Sequence, residues 1–319
     1  METGGLVLSR RKLTGLCAGF GASLIASNCL QRAWAQSTAS EKPLLARAIP
    51  HSGEMLPVIG LGTIIVFDVG GDAAKRMSCS NTVRALVAHG GSLIDTAESY
   101  GTAEGVLGDI LADTGLRSRV FLATKFDIKD YSRANGPTAF QGSLKQLRTP
   151  KLDLMQFHNV RDPNQDLGLL RDWKAQGLCR YTGITTTSED SYDATVAILE
   201  REKPDFLMVD YAIDKRAAEA RVLPAAASVG TAVVVALPFG RGRVFHNVLS
   251  KPLPDWVAEF DCASWAQFFL KFTLGNPAVT VVAPGTDKTE HMIDNLGGGR
   301  GRLPDEAMRA RMAKFIEAA

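Results

Sequence analysis

Four titratable side chains lie at the ends of three apolar stretches of the sequence. Asp95 and Tyr100 fall in SLIDTAESYG (residues 92–101), Lys125 ends VFLATK, and His158 ends LDLMQFH. Each apolar stretch predicts a buried strand, and a charge is rarely left beside a protein core without a partner. We therefore expect Lys125 to pair with Asp95, because either charge alone would be costly to bury.

These side chains suit the transfer of a proton to a carbonyl oxygen. A cation beside Tyr100 favours the phenolate, so Lys125 is expected to lower the pKa of the phenol from about 10 towards neutral pH and make Tyr100 a general acid. His158 could hydrogen-bond the carbonyl oxygen and orient it. Each residue taken alone has an ordinary structural explanation. Their common position at strand ends favours a site that protonates an oxygen while the carbonyl carbon receives a hydride.

Alternating strands and helices would bring these side chains together. The predicted strands are residues 58–61, 92–95, 120–124, 152–157, 181–184, 206–210, 232–236 and 279–282. The predicted helices are residues 75–89, 102–114, 138–147, 165–176, 190–202, 217–229, 261–274 and 304–318. Eight strand–helix units close as a (β/α)8 TIM barrel, whose chemistry lies at the carboxyl ends of the strands. A doubly wound sheet would need a Gly-x-Gly-x-x-Gly turn, which GLGTIIVFDVGG lacks.

The first 35 residues have the pattern of an export signal. Arg10 and Arg11 precede a weakly apolar segment, and AWA at residues 33–35 is typical of a cleavage site. The pattern resembles a twin-arginine signal peptide. It predicts a periplasmic or otherwise exported bacterial protein, or a cytoplasmic one if the signal is not used. The predicted regions are a signal peptide (1–35), a linker (36–48) and a barrel (49–319).

Two other interpretations of this leader are an amphipathic membrane tether and a disordered segment. Gly and Ser interrupt its apolar run, so we expect no stable membrane insertion after cleavage. Cleavage would leave Cys79, Cys179 and Cys262, an odd number without paired spacing, so neither a disulfide framework nor a metal site is indicated. The formal net charge is +2 and no basic stripe is present, which argues against nucleic acid as a partner.

Six motifs resemble the aldo-keto reductase superfamily in their order along the chain. They are GLGT (60–63), IDTAESYG (94–101), ATK (123–125), FHN (157–159), TGIT (182–185) and PGTDKTEHMIDNL (284–296). The resemblance covers the chain from about residue 49 to its end. It implies a barrel capped by an amino-terminal hairpin around residues 47–59, an extended NADP(H) or NAD(H), and a small aldehyde or ketone as substrate. The implied catalytic residues are Asp95, Tyr100, Lys125 and His158.

The resemblance also implies contacts to the cofactor. Tyr211 would stack on the nicotinamide, with Thr185 and Thr186 near its carboxamide. The loop LPFGRG (237–242) would bind the pyrophosphate, and residues 285–295 would hold the adenosine phosphate. The full set of expected contacts is Gly62, Thr63, Thr185, Tyr211, Leu237, Pro238, Gly240, Arg241, Gly285, Thr286, Lys288, His291 and Asn295.

Several positions depart from the family pattern. Thr185-Thr186 replaces a frequent Ser-Asn pair, and Met208 replaces a glutamine. Gly285 and His291 stand where many NADPH-specific members carry Lys and Arg, so the preference between NADPH and NADH stays open. The substrate pocket is expected to involve residues 65–77, Trp256, Phe260 and a flexible glycine-rich tail after Gly297.

Two other functions are compatible with the same residues. Lys125 could serve as the Schiff-base nucleophile of an aldolase, although pairing with Asp95 would keep it charged and a poor nucleophile. A nicotinamide-binding regulatory protein, similar to the family's potassium-channel β subunits, would keep the barrel and the cofactor while turnover is incidental.

Overall fold

Eight parallel strands close into a barrel in the computed structural model, which describes residues 42–127 and 136–318. The barrel strands are preceded by an antiparallel hairpin of β1 (Ala46–Ala48) and β2 (Met55–Pro57). The barrel strands are β3 (Leu61–Gly62), β4 (Leu93–Asp95), β5 (Phe121–Asp127), β6 (Leu152–His158), β7 (Cys179–Thr186), β8 (Phe206–Asp210), β9 (Ala232–Ala236) and β10 (Val279–Val282). From β3 to β10 the spatial order follows the chain order. Parallel bridges Ile59–Val282 and Gly62–Gly285 join the first barrel strand to the last. The predicted (β/α)8 barrel is confirmed.

Helices surround the barrel and pack their apolar faces against it. They are α1 (Ala73–Ala88), α2 (Ala103–Thr114), α3 (Gly136–Gln146), α4 (Gly168–Ala175), α5 (Tyr192–Glu202), α6 (Val222–Ser228), α7 (Trp265–Leu274), α8 (Thr289–Gly298) and α9 (Glu306–Glu317). Asp72, Ser264 and Asp305 each accept a hydrogen bond from an amide in the first turn of α1, α7 and α9. Such caps satisfy amide groups that have no partner inside the helix.

The hairpin β1–β2 covers the amino-terminal end of the barrel. Its Ile49 and Leu56 join the apolar cluster inside the barrel, together with Phe121 near the start of β5 and Phe206 at the start of β8. Tyr181, near the start of β7, donates a hydrogen bond to the Ser52 hydroxyl over 2.8 Å. The hairpin therefore closes one end of the barrel and leaves the carboxyl ends of the strands for the site.

The structure corrects two expectations about the last third of the chain. Residues 289–298, for which no helix was predicted, form α8. The glycine-rich tail after Gly297 is not a flexible segment, because the Lys271 ammonium donates to the carbonyl oxygens of Arg300 and Arg302 over 2.6 and 2.9 Å. This buried lysine holds the tail against α7.

The predicted signal peptide (1–35), its cleavage site and the linker up to residue 41 lie outside the described residues. By their contacts, Pro43–Ala319 form one compact unit. In the part of the chain that the structure describes, no helix is both long and apolar enough to cross a membrane.

Candidate active site

A buried ion pair lies at the centre of the site. The Lys125 ammonium contacts the Asp95 carboxylate and donates to the Thr96 carbonyl oxygen over 2.9 Å. Lys125 is 1% exposed and Asp95 4%. The second carboxylate oxygen of Asp95 accepts from the Gln156 amide over 3.2 Å. The expected Lys125–Asp95 pair is therefore present, and two further groups, the Thr96 carbonyl and the Gln156 amide, hydrogen-bond to it.

Strand register explains why these residues meet. Asp95 pairs with Ala123, and Lys125 lies two residues further along β5, so both side chains face the same side of the sheet. Lys125 in turn pairs with Gln156 on β6. His158 is two residues beyond Gln156 and faces the same interior.

Tyr100 reaches the ion pair from the loop after β4. The Lys125 nitrogen lies 5.0 Å from the centre of the Tyr100 ring, and the Tyr100 and His158 rings meet edge to face with centroids 5.9 Å apart. The loop is fixed beside Tyr100, because Asp68 accepts from the Thr102 amide and hydroxyl over 2.9 and 2.8 Å.

Burial sets the protonation states of the site. It raises the pKa of Tyr100 by more than the nearby Lys125 ammonium lowers it, so the expected lowering of this phenol's pKa is wrong. Burial has the largest single effect on Lys125 and lowers its pKa, but the charges and hydrogen bonds of Asp95 and Tyr100 together outweigh burial, so the pKa of Lys125 is raised. Burial, followed by repulsion from Lys125, lowers the pKa of His158 to about 4. At neutral pH the site therefore holds a protonated phenol, an ammonium and a neutral imidazole.

A cavity of about 990 Å³ opens above these residues and is lined by all four of them. Its volume is at the upper end of the range for ligand cavities, ~300–1,000 Å³. Ten of the thirteen expected cofactor contacts also line it: Gly62, Thr63, Thr185, Leu237, Pro238, Arg241, Gly285, Thr286, His291 and Asn295. The structure thus brings both predicted groups of residues to one cavity.

Tyr211 is not placed to stack on a nicotinamide. Its side chain is fully buried behind β8 against Phe272, and its hydroxyl contacts Glu219 and Arg309. Met208 lines the cavity. Because Tyr211 is three residues further along, the two-residue period of a strand turns it towards the helices. The predicted contact is therefore wrong, and Tyr211 is a packing residue.

Five further residues that were expected to contact the cofactor or the substrate do not line the cavity. Lys288 is exposed ahead of α8, and Gly240 turns the loop after β9 with a φ of 53°; neither lines the cavity. Thr186 does not line it either, whereas Thr187 does. Trp256 and Phe260 pack on each other and on Phe268 in an aromatic cluster outside the cavity.

The two arginines of the loop after β9 differ in their surroundings. Arg243 forms a two-pronged ion pair with Asp214, over 2.5 and 3.1 Å. Arg241 lines the cavity and has no carboxylate or hydrogen-bond partner among residues 42–127 and 136–318. Its charge lies near enough to Tyr100 to act on the pKa of that phenol. Arg241 is thus a cation available to an anionic ligand.

Features of the cavity wall fit a bound dinucleotide. Gly62 and Gly285 form a bridge that joins the first barrel strand to the last. A Cβ atom on Gly62 would lie 3.0 Å from the Ala283 carbonyl oxygen, so the cavity wall at Gly62 consists of backbone atoms. The Thr63 hydroxyl is buried with no hydrogen-bond partner among the described residues, and so is Nδ1 of His158. Buried polar atoms of this kind are normally hydrogen-bonded, so both atoms are open to a hydrogen bond with a ligand.

Comparison with known sequences decides the family. A sequence model of the aldo/keto reductase family matches residues 58–315. The chain belongs to this family. The methylglyoxal reductase YeaE of Escherichia coli K12 is 28% identical over 78% of this chain and 88% of its own length. The morphine 6-dehydrogenase of Pseudomonas putida is 25% identical over 77% of this chain and 83% of its own length.

Solved structures agree with this assignment. An aldo-keto reductase from Klebsiella pneumoniae, in complex with NADPH, is 25% identical and superposes with a TM-score of 0.72 over 86% of this chain and 95% of that chain. The family assignment made from the six motifs is therefore confirmed.

Sequence reasoning missed two polar residues of this aldo-keto reductase site. Gln156 supports Asp95, and it could have been found as the polar residue two positions before His158 inside an apolar strand. Asn159 lines the cavity, and its backbone amide donates to the Thr185 hydroxyl over 2.8 Å. That bond joins the ends of β6 and β7 at the rim, a contact between strands that the sequence does not reveal.

Proposed function

We propose that this aldo-keto reductase transfers a hydride between NADP(H) and an aldehyde or ketone, with Tyr100 as the general acid. The observation that carries the proposal is the buried Lys125–Asp95 pair beneath the Tyr100 ring, in a cavity that His158 also lines. The family assignment and the NADPH-bound relative from K. pneumoniae support it.

Each of the four residues has a distinct part in the reaction. The cofactor supplies the hydride when it is bound. Burial raises the pKa of Tyr100 further above neutral pH, so the phenol is protonated and can give its proton to the carbonyl oxygen. Lys125 stabilises the phenolate that remains, and Asp95 keeps Lys125 charged. His158 is neutral and orients the carbonyl by a hydrogen bond.

Three parts of the cavity wall are proposed to hold the cofactor. The Thr63 amide donates to the Asp95 carbonyl oxygen over 3.0 Å, and the Thr185 hydroxyl accepts from the backbone amide next to His158, so both residues would contact the nicotinamide half. Arg241, in the loop after β9, would pair with the pyrophosphate. At the other wall the contacts would come from Gly285, Thr286, His291 and Asn295, around the start of α8.

Arg241 offers a direct test of the cofactor site, because the same loop supplies a matched control. Arg241→Gln is expected to weaken NADPH binding about tenfold, as measured by fluorescence titration, since it removes a charged contact. Arg243→Gln should leave the dissociation constant within about twofold, because Arg243 is already paired with Asp214. Equal effects of the two changes would remove Arg241 from the pyrophosphate site.

The aldolase alternative is not favoured. A Schiff base needs a neutral lysine, whereas Asp95 raises the pKa of Lys125. The regulatory alternative predicts tight cofactor binding with negligible turnover. Incubating the NADPH-loaded protein with a panel of aldehydes and ketones separates the three functions. Oxidation of NADPH with one alcohol formed per hydride supports the reductase, whereas borohydride trapping of a substrate on Lys125 would support the aldolase.

The amino-terminal sequence supports a further proposal about location. We propose that residues 1–35 are a twin-arginine signal, that the protein is exported to the periplasm, and that the cofactor is loaded beforehand. Because free NADPH is not expected outside the cytoplasm, hydride would then pass between two organic substrates on a retained cofactor. Periplasmic protein that begins after Ala35 and releases a nicotinamide nucleotide on denaturation is the expected result. Protein found in the cytoplasm with its leader intact would refute export.

A further inference from the structure

The side chain of Gln156 is a polar amide inside the barrel. It is 0% exposed, and its amide nitrogen donates to the Asp95 carboxylate over 3.2 Å. Its amide oxygen has no hydrogen-bond partner among residues 42–127 and 136–318. A buried amide that leaves one of its polar atoms without a partner destabilises a fold, whereas an apolar side chain of similar volume does not. Packing of the barrel therefore does not explain why a glutamine occupies this position.

The two strands beside β6 leave room for this amide and fix its position. Gly183 on β7 and Lys125 on β5 both pair with Gln156 in the sheet register. A Cβ atom on Gly183 would lie 2.9 Å from Cγ of Gln156, closer than two such carbon atoms come in proteins. The Gln156 side chain thus occupies the space above Gly183 and reaches across β5 to Asp95 on β4.

This contact orients the Asp95 carboxylate. Because a carboxylate only accepts hydrogen bonds, the NH₂ end of the Gln156 amide must face it. One carboxylate oxygen of Asp95 accepts from Gln156, and the other contacts the Lys125 ammonium. Donors on both oxygens leave the carboxylate little freedom to rotate. Burial raises the pKa of Asp95, whereas the charge and hydrogen bond of Lys125 and the hydrogen bond of Gln156 act against burial.

We propose that Gln156 is a positioning residue for proton transfer, which holds Asp95 against Lys125 and so keeps the ammonium beneath the Tyr100 ring. Gln156 does not line the cavity, so it touches neither substrate nor cofactor and acts through Asp95. This inference rests on the proposed function of the same site.

Gln156→Met tests this role, because methionine keeps most of the volume and removes the donor. The rate of hydride transfer from bound NADPH to an aldehyde is measured in single turnovers from pH 6 to pH 9 on the full chain. We expect a rate about tenfold lower at every pH, since one hydrogen bond to a charged group is lost, and an NADPH dissociation constant within about twofold.

Thr280→Val is the matched control. Thr280 is buried on β10 outside the cavity, and its hydroxyl accepts from the Val233 amide over 3.1 Å. The variant therefore also loses one buried side-chain hydrogen bond, but it should leave the hydride-transfer rate within about twofold.

Gln156→Glu gives a readout that a packing role would not change. The introduced carboxyl can donate to Asp95 only while it is protonated, and burial beside Asp95 should raise its pKa above the ordinary value of about 4.3. The hydride-transfer rate should be close to that of the unmodified protein at pH 6 and fall about tenfold or more by pH 9. Unfolding free energy in urea should fall over the same interval, because the folded protein binds this proton more tightly than the unfolded chain.

The outcomes separate the positioning role from the proposed function. An unchanged rate in Gln156→Met, or a Gln156→Glu profile parallel to that of the unmodified protein, overturns the positioning role and leaves the reductase in place. No NADPH oxidation by the unmodified protein, with the pH-dependent loss of stability still present in Gln156→Glu, refutes the proposed function and supports the contact between Gln156 and Asp95.

Discussion

Replacement of Asp95 by asparagine tests the buried ion pair by removing one charge from it. In the variant, the Lys125 ammonium keeps the Thr96 carbonyl at 2.9 Å and an amide oxygen but loses its counter-charge. Lys125 has almost no solvent to compensate, because it is buried. Breaking a buried pair in this way costs about 3–5 kcal/mol of unfolding free energy. We expect the loss of unfolding free energy in Asp95→Asn to lie in this range.

The unfolding free energy of Asp95→Asn should change with pH in a definite direction. Without Asp95, burial should lower the pKa of Lys125 below its ordinary 10.5. The unfolded chain then binds more protons than the folded protein over this window, so the stability of Asp95→Asn rises as the pH increases from 7 to 10. In the unmodified protein the pKa of Lys125 is raised, so the protonated lysine stabilises the folded state at pH values below 10.5. This stabilisation is lost only above pH 10.5.

Urea unfolding of four proteins measures this energy. They are the unmodified protein, Asp95→Asn, Lys125→Met and the double variant, followed by circular dichroism at pH 7 and pH 9.5. The double variant should be more stable than Asp95→Asn, because it leaves no unpaired charge. A loss below about 1 kcal/mol in Asp95→Asn, or additive effects in the double variant, would refute the reasoning.

Three other outcomes follow from the environment of particular side chains. Burial raises the thiol pKa to about 11 for Cys79, about 12 for Cys179 and about 11 for Cys262. A thiol reagent should therefore label none of these three cysteines in the folded protein. After denaturation it should label three cysteines in the cleaved chain and five in the uncleaved chain. Because the pKa of His158 is lowered to about 4 from 6.5, unfolding free energy should fall on the order of 3 kcal/mol as pH drops through this interval, and His158→Gln should remove this loss. Tyr211→Phe removes hydroxyl contacts to Glu219 and Arg309, so it should lower the urea midpoint and leave the NADPH dissociation constant within twofold.

The barrel was predictable because its strands are continuous apolar runs. The predicted bounds of β8, β9 and β10 match the structure residue for residue. Parallel strands that are buried on both faces give such runs, and the helices between them give a longer period. The grouping of Asp95, Lys125 and His158 was predictable for the same reason, since each of them interrupts or ends an apolar strand.

Features that depend on contacts between elements were not predictable. α8 contains Gly297 and Gly298, which lower helix propensity, yet a side chain on Gly298 would lie 3.0 Å from Leu270. The close packing of α8 on α7 thus overrides local preference. Tyr211 was misassigned because a polar residue after a strand can face either the cavity or the helices. The positive φ of Ile65 leaves no mark in the sequence, because isoleucine is a residue that rarely adopts this conformation.

The central claim is that Tyr100 protonates the carbonyl oxygen above the Lys125–Asp95 pair. Single-turnover oxidation of bound NADPH by an aldehyde, compared between the unmodified protein and Tyr100→Phe, tests it most directly. We predict that the hydride-transfer rate falls on the order of 10²-fold or more, while the NADPH dissociation constant stays within about twofold. An unchanged rate in Tyr100→Phe would contradict the account and leave the proton to another donor.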